Sequence, residues 1–194
     1  DSLTDFTVSF LVYFVLTSRL VNETGDSWYW FLGSFALLSC LLHCSYFVFY
    51  LVRYTSTVGT YLYNRVDESV SEEDTKAYKK GELSALVYFL QRCHIFLYGW
   101  QDKSIEYFDC ISKELAFGKN NGKLPDIDWY MDKTFLTWVS PLCLCTNNMV
   151  LVLFSLIDQI VWGFLLIIIV GNIYLLGLQI KKILKVRKEF RSQA

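Results

Sequence analysis

Apolar residues along this chain gather in long runs separated by short polar stretches, a pattern that predicts long helices rather than alternating strands. The run Ile160–Ile180, IVWGFLLIIIVGNIYLLGLQI, carries no formal charge and is bounded by Asp158 on one side and Lys181–Lys182 on the other. A span needs roughly 20 apolar residues to cross about 30 Å of hydrocarbon, so this run predicts a membrane helix. Trp28–Val52 predicts a second, opened by Trp28, Tyr29 and Trp30 where interfacial anchors belong and closed by Arg53. A shorter run, Phe6–Leu16, precedes it across Arg19 and the polar stretch NETGDS. Residues 135–157 are long enough to cross but are interrupted by Pro141 and by Thr146, Asn147 and Asn148. A broken span must bury its irregular backbone against protein. A segment packed at the interface is the other reading, and both stay open here.

The middle of the chain changes character. SALVYFLQRCHIFLYGW, residues 84–100, is apolar apart from Gln91, Arg92 and His94. Beyond it Ile105, Phe108, Ile111 and Leu115 form an apolar stripe, while Asp102, Glu106, Asp109 and Lys113 mark a polar face expected to meet solvent. Asp109 before Lys113 is a favourable i, i+4 pair. Residues 83–117 are therefore read as one helix of about 50 Å, ended by Gly118 and KNNGKLPD. Ser69 with Glu72, and Ser71 with Asp74, have capping-box spacing and predict a helix start near Glu72. The expectation is an all-α, multi-helix integral membrane protein. Its regions are residues 1–53 (membrane), 54–134 (amphipathic helices with aqueous loops) and 135–194 (membrane with a basic tail).

Composition sharpens this. With 54 % apolar and 18 % aromatic residues, the chain is greasier than a typical soluble domain. Eighteen basic against nineteen acidic residues give no electrostatic footprint for nucleic acid. The tail after Ile180 holds Lys181, Lys182, Lys185 and Arg187, read as span anchors that place it on the cytoplasmic or matrix side. Asp158, ahead of Ile160, is expected to cap that helix and complement its dipole. The six cysteines make no CxxC motif and are read as reduced, small hydrophobes. The chain starts at Asp1 rather than Met, which a removed presequence would explain.

Candidate chemistry is sparse. GxSxG, HExxH, Walker and dinucleotide signatures do not occur. His43 and His94, the two histidines, lie in greasy segments, and two such imidazoles can hold a b-type haem with Arg92 near a propionate. Cys40, His43 and Cys44 share one side of a helix, but zinc wants a fourth ligand, and the sequence gives the remaining cysteine cluster, Cys143 and Cys145, no reason to approach. Packing is the better reading, and no metal is expected. On a helical wheel Arg92 shares a face with Tyr88, Phe89, Phe96 and Gly99, while His94 points about 200° away. Arg92 is thus read as a cation on an aromatic face in contact with protein or lipid.

Residues 141–162, PLCLCTNNMVLVLFSLIDQIVW, resemble the peroxin-11 family of peroxisomal membrane-elongating proteins. The carrying features are LCL at 142–144, Asn147–Asn148, and Asp158 with Trp162 in a D-x-I-x-W arrangement. YLLGLQIKKILK at 174–185 resembles that family's following helix. The resemblance implies a protein that shapes peroxisomal membranes through amphipathic helices. From the residues themselves the expectation is a non-catalytic accessory subunit of a larger organellar membrane complex. The mitochondrial inner membrane, in a respiratory-chain or ATP synthase complex, is the setting it suggests. Other integral membrane subunits and phospholipids would be its partners. A haem-bearing electron-transfer anchor is the third reading.

Overall fold

A computed structural model describes residues 2–59, 78, 84–117 and 129–193. The helix start near Glu72 and the helix end at Gly118 lie outside the described residues. Helix α1 is Ser2–Thr24, α2 is Trp28–Val58 and α3 is Ala85–Phe117. Helix α4 is Lys133–Val139, followed by a 3-10 turn at Ser140–Leu142 and by α5, Leu144–Leu156. Helix α6, Ile160–Leu165, runs through a π-helical turn, Leu166–Gly171, into α7, Asn172–Gln193. The fold is all-helical, and four stretches are long and apolar enough to cross a membrane: Leu3–Thr24, Trp28–Val58, Lys133–Leu156 and Ile160–Lys188. The short first run and the interrupted 135–157 segment both qualify, the latter as α4 and α5 joined through Pro141.

Local chemistry explains the boundaries. Gly25, at φ +74°, ends α1 with its N–H on the Val21 carbonyl at 2.8 Å, and Gly59, at φ +72°, closes α2 the same way on Thr55. Only glycine adopts that left-handed backbone without a Cβ penalty. Asp132 caps α4 by accepting from the Phe135 N–H at 3.0 Å.

The packing combines an apolar core, in which Leu151, Phe164 and Ile167 are buried, with polar side chains at the helix contacts and apolar residues left outside. Helix α1 turns Ser9, Tyr13 and Thr17 inward and leaves Val8, Phe10, Leu11, Phe14 and Val15 outside. Helix α2 buries Gly33, Ala36, Ser39, Cys40 and His43. Small residues at the contact let membrane helices approach closely. At Gly33 a Cβ would lie 1.9 Å from Thr17 Oγ1, so the α1–α2 contact has no room for one.

Helices α2 and α6–α7 run side by side in the same sense. Counted at 1.5 Å per residue from Trp28 and from Ile160, about 30 Å of hydrocarbon ends near Val48 and Ile180. Tyr50 and Lys182 then meet just past that boundary, with Lys182 Nζ 3.9 Å from the Tyr50 ring centroid. His43 lies about 22 Å in from Trp28, inside the hydrocarbon depth.

Candidate functional site

Two buried polar clusters follow from this arrangement. The first gathers at the α2 C-terminal end. Helix α3 buries Gln101, Ile105, Asp109, Ser112 and Ala116, spaced by four or three residues on one face. Asp109, 3 % exposed, accepts three hydrogen bonds. Tyr50 Oη donates to its Oδ1 at 2.5 Å, Trp129 Nε1 to the same oxygen at 2.8 Å, and Tyr130 Oη to Oδ2 at 2.7 Å. Lys113 Nζ stands 3.7 Å from Oδ2, the i, i+4 pair that the sequence predicts. A carboxylate offers about four lone-pair positions, so its own chain fills three of them and sets an ammonium near the carboxylate as well.

The rings that donate to Asp109 also enclose a cation. Lys182, 3 % exposed, lies in a cage of four aromatic rings. Its Nζ is 3.9 Å from the Tyr50 centroid, 4.3 Å from Trp129, 4.4 Å from Phe135 and 5.6 Å from Tyr130. Ring faces attract cations, by about 2 kcal/mol or more where water is excluded. Gln179, one turn before Lys182, accepts from Tyr46 at 2.5 Å, and its Oε1 lies 3.2 Å from the Tyr50 hydroxyl oxygen, a second acceptor in reach of the proton that Tyr50 gives to Asp109. The hub therefore ties α2, α3, α7 and residues 129–135 together through one carboxylate and one ammonium.

Two expectations are corrected here. Asp109 belongs to the core and not to a solvated face, while Leu115, expected in the apolar stripe, is 61 % exposed. The physical reason is that a carboxylate is stable inside a fold only among donors, and the donors Tyr50, Trp129 and Tyr130 all meet the inner side of α3. Lys182, expected as a tail anchor at the membrane surface, is held inside the hub. Its neighbours do stay peripheral: Lys181 lies 4.7 Å from the Trp138 centroid, Lys185 pairs with Asp132 at 2.6 Å, and Arg187 is exposed.

The Asp132–Lys185 pair has a pH signature. Partial burial disfavours the Asp132 carboxylate, but the Lys185 contact and the Phe135 N–H outweigh it and hold its pKa below the ordinary 3.8. A depressed folded-state pKa stabilises the fold above the ordinary value and loses that contribution as pH falls through the folded one. Acidification from neutral to below pH 3.8 should therefore lower the wild-type thermal midpoint more than that of Asp132→Asn. Equal acid sensitivity of the two proteins would count against the pair.

The second cluster lies within the hydrocarbon depth. His43 is fully buried, its Nδ1 3.5 Å from Asn147 Oδ1. Asn172 Nδ2 donates to Ser39 Oγ at 3.1 Å, and Asn148 Nδ2 to Ser9 Oγ at 3.1 Å. Gly171, last residue of the π turn, packs against the imidazole so closely that a Cβ there would lie 2.3 Å from His43 Cε1. These contacts stitch α1, α2, α5 and α7 by side-chain hydrogen bonds, as polar groups in membrane bundles do.

The remaining predicted residues are spread out. His94 sits half-buried on α3 with its ring 5.0 Å from that of Tyr98. Arg92 is exposed on α3 and lies over the Tyr88 ring at 5.4 Å, the aromatic contact expected of it. Trp28 is 64 % exposed at the head of α2, and Trp30 packs on Phe14. Asp158 does not cap the following helix. It stands at φ +58° as the turn residue ending α5, with the Gln159 N–H reaching back to the Phe154 carbonyl at 2.8 Å. Its position is that of the left-handed residue in a Schellman-type terminus, which turns the side chain to Arg19, at 2.6 Å. Gln159 is the N-cap residue of α6 and makes no side-chain cap.

All six cysteines are free. Among the described residues no group of three His, Cys, Asp or Glu side chains is placed to hold a metal ion. The sequence reading missed Asp109 as a core residue, together with Tyr50, Trp129, Tyr130 and Gln179. The available signal was the spacing of Gln101, Asp109 and Ser112, polar positions that share a face with Ile105 and Ala116. Comparison with protein-family models, with curated proteins and with solved structures finds no match to this chain.

Proposed function

We propose that the chain is a non-catalytic structural or accessory subunit of a larger organellar membrane assembly, in the mitochondrial inner membrane. The observation that carries this reading is the enclosure of Asp109. Among the described residues it is the carboxylate inside the core, and it gives three acceptor positions to Tyr50, Trp129 and Tyr130 beside Lys113, the arrangement of a fastener between helices. The fold also presents broad apolar surface on α1, α2 and α3, including Phe31, Phe35, Phe89 and Phe96, for neighbouring helices to cover.

Extraction from native membranes in mild detergent, followed by a native gel, tests the reading. Comigration with many other subunits and no bound haem is the expected result. Migration as a small homo-oligomer would replace it with the peroxin-11-like reading. What favours that second reading is α3, a 33-residue helix with aromatic residues and Arg92 on its outer side. Tubulation of liposomes by the purified chain is its own test. A Soret band lost on His94→Ala would instead establish the haem anchor.

A further inference from the structure

Cations gather around one ring where α2 and α3 leave the hydrocarbon on the side of the basic tail. The Arg53 guanidinium carbon lies 5.7 Å from the Tyr130 centroid and 5.4 Å from that of Phe49, and Lys113 Nζ lies 4.4 Å from Tyr130. Lys182 Nζ is 5.6 Å from the same ring. Asp109 serves both Lys113 and Lys182. Arg53 has Glu106, at 3.3 Å and 64 % exposed, which takes one N–H of a fork that carries five. The Nε of that fork is buried and meets no acceptor among the described residues. Depth is the second observation. Arg53 lies five residues beyond Val48, the end of the hydrocarbon, which puts it about 7 Å into the headgroup layer. Lys113 stands one turn beyond Asp109, the carboxylate that Tyr50 bonds at that boundary, and so reaches the same layer.

We infer that Arg53 and Lys113 form a site for the phosphate of one anionic phospholipid, on the tail side between α2 and α3. A planar fork with unused donors suits phosphate oxygens, and an oxygen beside Nε satisfies a buried donor that otherwise costs free energy. The phosphate also relieves the repulsion between cations brought to one ring. A free phosphate ion presents the same oxygens, but a phospholipid carries them at this depth already. A zwitterionic lipid presents them together with its own cation, which Arg53 and Lys113 repel. Glu106 is the competitor, and its exposed pair with Arg53 is of the weak kind that yields to a phosphate. The inference goes beyond the accessory-subunit reading and does not depend on it, because these residues lie within one chain.

The test uses the full chain, purified in mild detergent and titrated with phosphatidylglycerol or with phosphatidylcholine of the same acyl chains. Native mass spectrometry then counts the bound lipid. One phosphatidylglycerol adduct is expected, held about tenfold better than phosphatidylcholine and weakened about tenfold in Arg53→Gln, as for loss of a charge-assisted contact. Arg53→Lys, which keeps the charge but not the fork, should retain more adduct than Arg53→Gln. Glu106→Gln supplies a readout that a damaged fold does not imitate. Removing the competing carboxylate should tighten phosphatidylglycerol about two- to fivefold, the worth of an exposed ion pair. Equal retention of the two lipids, or an unchanged adduct in either Arg53→Gln or Glu106→Gln, would overturn the site. Displacement by inorganic phosphate as effective as by lipid would assign it to a free anion and overturn the lipid.

Discussion

Asp109→Ala lowers the stability of the bundle by about 3–5 kcal/mol, the usual cost of removing one partner from a buried ionic cluster. The alanine leaves the Tyr130 hydroxyl and the Trp129 indole N–H facing an empty acceptor position, while Tyr50 falls back on Gln179 Oε1 at 3.2 Å. Each is a buried donor whose loss of partner is expensive. It also strands Lys182, caged by the same rings, without the nearby carboxylate. Asp109→Asn, which keeps an acceptor oxygen and loses the charge, should fall between wild type and alanine. Glu114→Ala, on the exposed side of the same helix, should stay within about 0.5 kcal/mol of wild type. Unfolding in mixed micelles, followed by tryptophan fluorescence, provides the measurement. A loss under about 1 kcal/mol for Asp109→Ala would mean that water or a rearranged Lys113 can replace the carboxylate, and the hub would no longer explain how α3 is held.

Gly171→Ala is the second large effect, expected to cost about 1–3 kcal/mol, as overpacking does. The new methyl would lie 2.3 Å from His43 Cε1 and 3.1 Å from both ring nitrogens. His43 has little freedom to retreat, since it is fully buried and its ring is engaged with Asn147. The π turn that ends at Gly171 brings the backbone to the imidazole, so relief requires moving either the turn or the ring. A double-mutant cycle separates this clash from a general intolerance of α7. In the His43→Ala background the Gly171→Ala cost should largely disappear, because touching residues couple strongly. If the two costs simply add, the clash is not the cause.

These two positions differ in how visible they are in sequence. His43 stands out at once, an imidazole in an apolar run, and its burial needs no structure to anticipate. Gly171 is one of ten glycines and carries no mark of its own. His43 meets Asn147, 104 residues away, and the bond beside it joins Ser39 to Asn172, 133 residues apart. Asp109 was legible as the partner of Lys113 but not as the acceptor of three aromatic donors. Periodicity placed it on a polar face, and a polar face is read as solvent-facing only when the surroundings are water. Asp158 shows the same limit at shorter range. Its place ahead of an apolar run fits a cap, yet the backbone turn at φ +58° that ends α5 directs it to Arg19 instead.

The sequence by itself determined the helical class and the place of the main apolar segments, because those follow from length and hydropathy along a local helix. Only the tertiary structure decided which face of each helix turns inward. Where hydrocarbon lies outside, apolar residues are comfortable on either side, and hydropathy no longer separates core from surface. The choice then falls to polar groups that must find one another. Asp109 meets Tyr50, Trp129 and Tyr130, Lys182 meets their rings, and His43 meets Asn147, all of them pairings set by helices brought together from distant parts of the chain.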